Sequence, residues 1–370
     1  MNDVKELRKA AGAEDVKQIR NILKSDPELV HDWKALLDAC YHGRYKSVRA
    51  LLEAGADPNV LSKTANRHRP LHRVIEHKKT RPTHEGHEAC VQILVDGGAD
   101  VRARGCFTRV TALQLAAMGN ETRFIPLLKK AMGKQDIFHA CVLGEDKVVS
   151  KLLGYDSDLA LSTDENGWEP MMYVAASQMH WSDQRASAKL VQIAERLIEA
   201  GADPNPSIVW GRWPLPALYY AAGVGNHAAL VKLMLEHGAD PNDGESLHHS
   251  AENLFTECLD LLLAHGGDLN KPDNDDHSTP LHFVLQYGAL KGIPWLLDHG
   301  ADPNAKNGEL GRTALHAAAA RGCNDSILQM LIDHGVKVNA KDKVGSTALM
   351  IAEAKKKKRV VEFLRSNGGK

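Results

Sequence analysis

Residues 296–304 read LLDHGADPN, and the same phrase stands at 51–59 (LLEAGADPN), 197–205 (LIEAGADPN) and 234–242 (MLEHGADPN). Looser copies stand at 94–102 (LVDGGADVR), 262–270 (LLAHGGDLN) and 331–339 (LIDHGVKVN). A block returning roughly every 30–40 residues marks a solenoid of stacked units, each touching only its neighbours. A second block keeps phase with the first: STPLHFVL (278–285), RTALHAAAARG (312–322), TALQ (111–114), RPLH (69–72) and TALM (347–350).

Each residue type in these blocks has a physical use. Thr is a good N-cap, and Pro is tolerated in the first helical turn, where a free N–H has no partner. The His imidazole can bridge neighbouring backbone turns. The following Ala pair keeps the first helix thin enough to stack. The second helix carries aliphatics at i, i+1, i+4 and i+5 and buries that stripe. Gly suits a left-handed C-cap, and Asp-x-Asn supplies turn chemistry.

The pattern resembles the ankyrin repeat over essentially the whole chain. That resemblance implies an all-α solenoid of helix–turn–helix units with short β-hairpin fingers, and protein recognition in a concave groove rather than catalysis. About eleven units are expected, starting near 1, 33, 62, 104, 134, 165, 206, 243, 271, 307 and 342. One junction departs from the pattern, because unit four ends LLKKAMGKQ (127–135) without a GAD loop. The chain then restarts as DIFHACVLGEDKVVSKLLGYDSDLAL (136–161), like the opening ELRKAAGAEDVKQIRNILKSDPELV (6–30). This predicts two sub-arrays, 1–132 with about four repeats and 133–370 with about seven. A smooth solenoid with a shortened finger and a kink at the junction both fit.

The bulk numbers exclude several classes. With 46 basic and 47 acidic residues the formal net charge is −1, so no global field draws the chain to nucleic acid or an anionic membrane. The first residues are polar, no apolar run approaches a membrane span, and a cytoplasmic monomer is expected. The six cysteines form no CxxC pair, and Cys40, Cys90, Cys141 and Cys258 sit at core positions, as buried free thiols.

Function is expected in the departures from the repeat. Seven of 19 aromatics fall within 53 residues: Trp168, Tyr173, Trp181, Trp210, Trp213, Tyr219 and Tyr220. Insertions coincide with them around 178–189 and at PSIVWGRWPLP (206–216), which holds Arg212. Trp and Tyr dominate binding hot spots, so this cluster is the first candidate contact centre. The competing reading packs Trp168 and Tyr173 against the insertions. The second candidate is the basic run 63–81, with Arg67, Arg69, Arg73, Lys78, Lys79 and Arg81, continued by Arg104 and Arg109. It could dock an acidic segment or a phosphate, or simply be a solvated face. The run KKKKR (355–359) reads as a polar cap or a nuclear address.

No catalytic motif, cofactor or small-molecule substrate is read. Most of the 19 histidines are explained by repeat position, and in the densest group, His68 to His87 with Cys90, the three left over, His68, His77 and His84, match no closed zinc spacing. Residues 273–276 lack the Gly and Glu of a calcium loop. The style of the units suggests a bacterial protein, either an effector reaching a host cytoplasm or nucleus or an immunity-type protein neutralising a toxin. A two-client scaffold and a cryptic enzyme or enzyme accessory are the alternatives.

Overall fold

A computed structural model describes residues 2–76, 83–106, 108–210, 213–273, 277–308 and 310–370, without the side chains of Asn2, Trp210 and Trp213. Among the described residues the chain forms eleven successive helix pairs, from Asn2–Ala13 with Val16–Ser25 to Ala348–Ala354 with Lys358–Ser366. Their order agrees with the unit starts read from the sequence. The first helices pack on first helices, as Ser246–Asn253, Pro280–Tyr287, Ala314–Arg321 and Ala348–Ala354 do in turn. Second helices such as Ala228–Glu236 and Thr256–Ala264 make the other layer. Strands are confined to fingers: Arg104–Gly105 pairs antiparallel with Val110–Thr111, and Ser207–Trp210 with Trp213–Pro216.

The chain divides into two compact units, Met1–Asn166 with Ser177–Ile193 and Gly167–Ala176 with Ala194–Lys370. The junction expected at 132/133 lies inside the first. The two similar tails both close in a five-residue 3-10 turn, Pro27–His31 and Ser157–Leu161.

The conserved-looking polar letters of the repeat act as latches between neighbours. Asn270 donates its amide to Gly300 O (3.3 Å) and accepts from Asp302 N (2.7 Å). Asn304 does the same with Gly335 O (3.0 Å) and Lys337 N (2.8 Å). Asn242, Asn59 and Asn339 repeat the arrangement. Arg102 takes the Asn position of its phrase, where the next unit has no GAD loop. Its longer side chain donates to Met132 O (3.0 Å) and Lys134 O (2.7 Å) instead.

The block histidines form a second set of latches. Nε2 of His72, His248, His282 and His316 lies 2.8–3.1 Å from Val110 O, Ser278 O, Arg312 O and Ser346 O. The Nδ1 atoms of His282 and His316 face the cap hydroxyls of Thr279 and Thr313. Burial pushes His72, His248 and His282 down to about 4, so each is neutral and can donate only through one nitrogen.

The six cysteines are buried and unpaired with one another. Of the basic run 355–359, Lys355 to Lys357 form the turn between the helices of the last pair, and Lys358 and Arg359 open the second helix, where Arg359 pairs with Asp325.

Candidate functional site

The first helices of the second unit carry a continuous file of rings. Trp168 lies 5.1 Å from Tyr173 and 5.3 Å from Tyr220, centroid to centroid. From Tyr220 the file runs to Tyr219 (5.0 Å), His249 (4.9 Å from Tyr219), Phe283 (5.0 Å from His249) and Tyr287 (4.6 Å from Phe283). Every step falls within the 4.5–7 Å range of favourable aromatic pairs. The file has a buried end and an open end: Trp168 and Tyr173 are 1% and 0% exposed, whereas Tyr287 is 56% exposed.

The repeat supplies part of this file from one block position. Counting along the block, Tyr173, Tyr220, His249 and Phe283 all hold the position after its fourth residue, which is Ala317 in a later unit. Successive first helices pack side by side, and at His249 and Phe283 this position meets itself across neighbouring helices. Between Tyr219 and His249 the approach is especially close. The first helix there is a π-helix, Tyr219–Val224. A Cβ added at Gly223 would lie 2.6 Å from the His249 Cβ, so only glycine fits. Asn253 donates to Gly223 O (3.0 Å) and fastens the two helices.

The middle of the file is acidic. His249 lies between Glu245 (Nε2 to Oε2, 3.4 Å) and Glu252 (Nδ1 to Oε2, 2.9 Å). Burial disfavours its charge, but hydrogen bonds to both carboxylates outweigh this and raise its pKa. Burial, helped by Glu245 and Glu252, pushes the Tyr219 phenol up, so it stays a hydrogen-bond donor at neutral pH.

The structure corrects two residues of the expected contact centre. Trp168 and Tyr173 cannot touch a partner because their rings are core, stacked beneath the file. Tyr219 is half-buried within the file. Trp181 is 53% exposed but belongs to the other unit, in the turn Met179–Trp181. Trp210 and Trp213 are cross-strand partners at the end of their hairpin. Their side chains, like Arg212, lie outside the described residues. His249, Phe283 and Tyr287 were not singled out from sequence. For His249 and Phe283 the signal is the shared block position, which a search for dense aromatics passes over.

The basic candidates, all in the first unit, divide by partner. Arg73 stacks over the Tyr41 ring (3.9 Å) and pairs with Glu76, so it is spent inside the fold. A hydrogen bond from His68, together with Arg73, holds Glu76 down at about 2 against the opposing effect of burial. Arg69 donates to the carbonyls of Asn59 and Arg104, and Arg104 to Asp164 (2.8 Å) and Arg109 O (3.1 Å). Arg67 and Arg109 are exposed. Lys78, Lys79, Arg81 and His77 lie outside the described residues.

Among the described residues no group of His, Cys, Asp and Glu is placed to hold a metal, and no helix is long and apolar enough to cross a membrane.

Comparison with known proteins agrees with this architecture. A family model described as "Ankyrin repeats (3 copies)" matches residues 36–137, 184–273, 218–307 and 306–370. "Ankyrin repeat and KH domain-containing protein mask-1" of Caenorhabditis elegans is 27% identical over 278 residues, 71% of this chain and 10% of that protein. "Ankyrin repeat and SOCS box protein 6" of Homo sapiens is 36% identical over 104 residues, 28% of this chain and 25% of that protein. The matches thus span only a tenth to a quarter of these relatives. The crystal structure of the human ASB11 ankyrin repeat domain is similar over 64% of this chain and 99% of its own, with 22% identity and a TM-score of 0.49. Ankyrin repeats are, as a class, protein-interaction modules rather than enzymes. Since the family model covers most of its length, the chain belongs to the ankyrin-repeat family.

Proposed function

We propose that the chain is a non-enzymatic module that binds a protein partner across the first-helix face of residues 219–287. The observation that supports this reading most is the ring file ending at the exposed Tyr287, with Glu245 and Glu252 beside His249. Aromatic rings held rigidly on packed helices lose little freedom on binding, which is what anchors a hot spot. A stable complex should bury on the order of 1,200–2,000 Å² in total.

The test is capture of partners from native lysate, followed by affinity measurement with Tyr287→Ala and Phe283→Ala. Each substitution should weaken binding by roughly 2 kcal/mol or more, as hot-spot truncations do. Trp181→Ala, in the other unit, should leave affinity unchanged. Equal affinity of all three variants would remove the contact centre from this face.

A narrower use, as an effector acting on a host or as an immunity-type protein, follows the divergent units and their Asp-x-x-Leu tails. Rescue from a co-expressed toxin would distinguish immunity. The border at 132/133 is retained as a proposal, supported by the missing finger that Arg102 spans. Separate capture of two proteins by 1–132 and 133–370 would turn the module into a two-client scaffold.

A further inference from the structure

A cavity of about 260 Å³ opens among the fingers of the first unit, lined by Arg67, Arg69, Arg104, Arg109, Cys106 and Glu165 among others. Four arginines face Glu165, and Asp164 stands behind Arg104, which leaves a net formal charge of +2. The four play two different parts. Arg69 and Arg104 are struts, tied to finger carbonyls and to the buried carboxylate of Asp164. Arg67 and Arg109 have no side-chain hydrogen bond or ion pair with any described residue, although they sit on neighbouring fingers joined by the Cys106 N to Arg67 O bond (3.2 Å).

The backbone adds an independent observation. Arg67 and Arg109 have φ of +47° and +51°, and Cys106 between them has +57°. Glycine or asparagine adopts this left-handed conformation at less cost, and most of this chain's turns use glycine for it. Strain clustered at one rim points to a ligand clamp. Each guanidinium presents a planar fork of donors that matches a carboxylate or phosphate. At roughly 30 Å³ per water, the cavity is several times the size of one small oxyanion and suits the side chains of a peptide.

We propose that this cavity is an oxyanion pocket for the acidic side chains of an extended peptide. Arg67 and Arg109 close on the carboxylates, while Arg69 and Arg104 hold the frame. The pocket lies in the first unit and the ring file in the second, so either reading can fail without the other.

The test uses the full chain and a panel of fluorescently labelled decapeptides rich in Glu or Asp, read by anisotropy. Arg67→Gly/Arg109→Gly removes both forks and relieves the left-handed strain, so the fold should be kept or stabilised. Binding should fall roughly tenfold or more in this variant, as expected for losing charge-assisted bonds. A control with the same charge loss elsewhere, Lys17→Ala/Lys24→Ala, should bind like the parent. Raising salt from about 50 to about 500 mM should weaken binding, while equimolar inorganic phosphate should not compete. The proposal is overturned if no acidic peptide binds the parent chain. Equal binding by the glycine variant, or equal loss in the lysine control, overturns it as well. Full displacement by inorganic phosphate would assign the pocket to the free ion instead.

Discussion

At the residue scale, the block histidines make the array sensitive to acid. His72, His248 and His282 are held near 4 by burial, against an ordinary value of 6.5. The unfolded chain therefore binds more protons than the folded one below pH 6.5. The contribution of these residues is complete above 6.5 and is lost as pH falls toward 4, on the order of 3 kcal/mol each. His249 works in the opposite sense, because its raised value favours the fold at lower pH. Burial lowers His316 as well, so four imidazoles oppose one and urea midpoints should drop between pH 6.5 and 4. His282→Gln should lessen that drop, since a glutamine already fills the equivalent position at Gln114. A midpoint that stays flat across this window would show that the latches tolerate a charged ring. These roles were half legible in the sequence. The spacing of TPLH showed that His could bridge turns, but its acceptor lies about one repeat away and only stacking reveals it.

At the element scale, the π-helix Tyr219–Val224 decides where the rings meet. Gly223→Ala places a methyl where His249 already stands, and overpacking of this kind costs about 1–3 kcal/mol. Thermal unfolding should show that loss, and partner affinity should fall with it, because Tyr219 and His249 can no longer stack at their present spacing. Unchanged stability would mean that the helices slide apart freely. The helices themselves were easy to read, since caps, thin Ala faces and aliphatic stripes repeat in phase. The file of rings was harder. Tyr219 and Tyr220 stand out by density, whereas His249 and Phe283 gain meaning only when units are superposed. Burial misleads in the other direction. Trp168 and Tyr173 have the composition of a hot spot, yet Trp168 packs at a tilt against two tyrosines and fills the base of the file.

At the scale of the whole molecule, side-chain amides that grip backbone groups join neighbouring repeats at five junctions. This explains why unit count and order were legible while the contact units were not. Periodicity fixes what one repeat does to its neighbour, and nothing in it counts how many neighbours cohere. The Asn latches at 242, 270, 304 and 339 are 28 to 35 residues apart. Pulled from its ends, the stretch from 242 to 370 carries four such latches in series. It would yield one latch at a time, each release paying out roughly 90–125 Å of extended chain. Between releases it would behave as a spring whose stiffness is set by stacking.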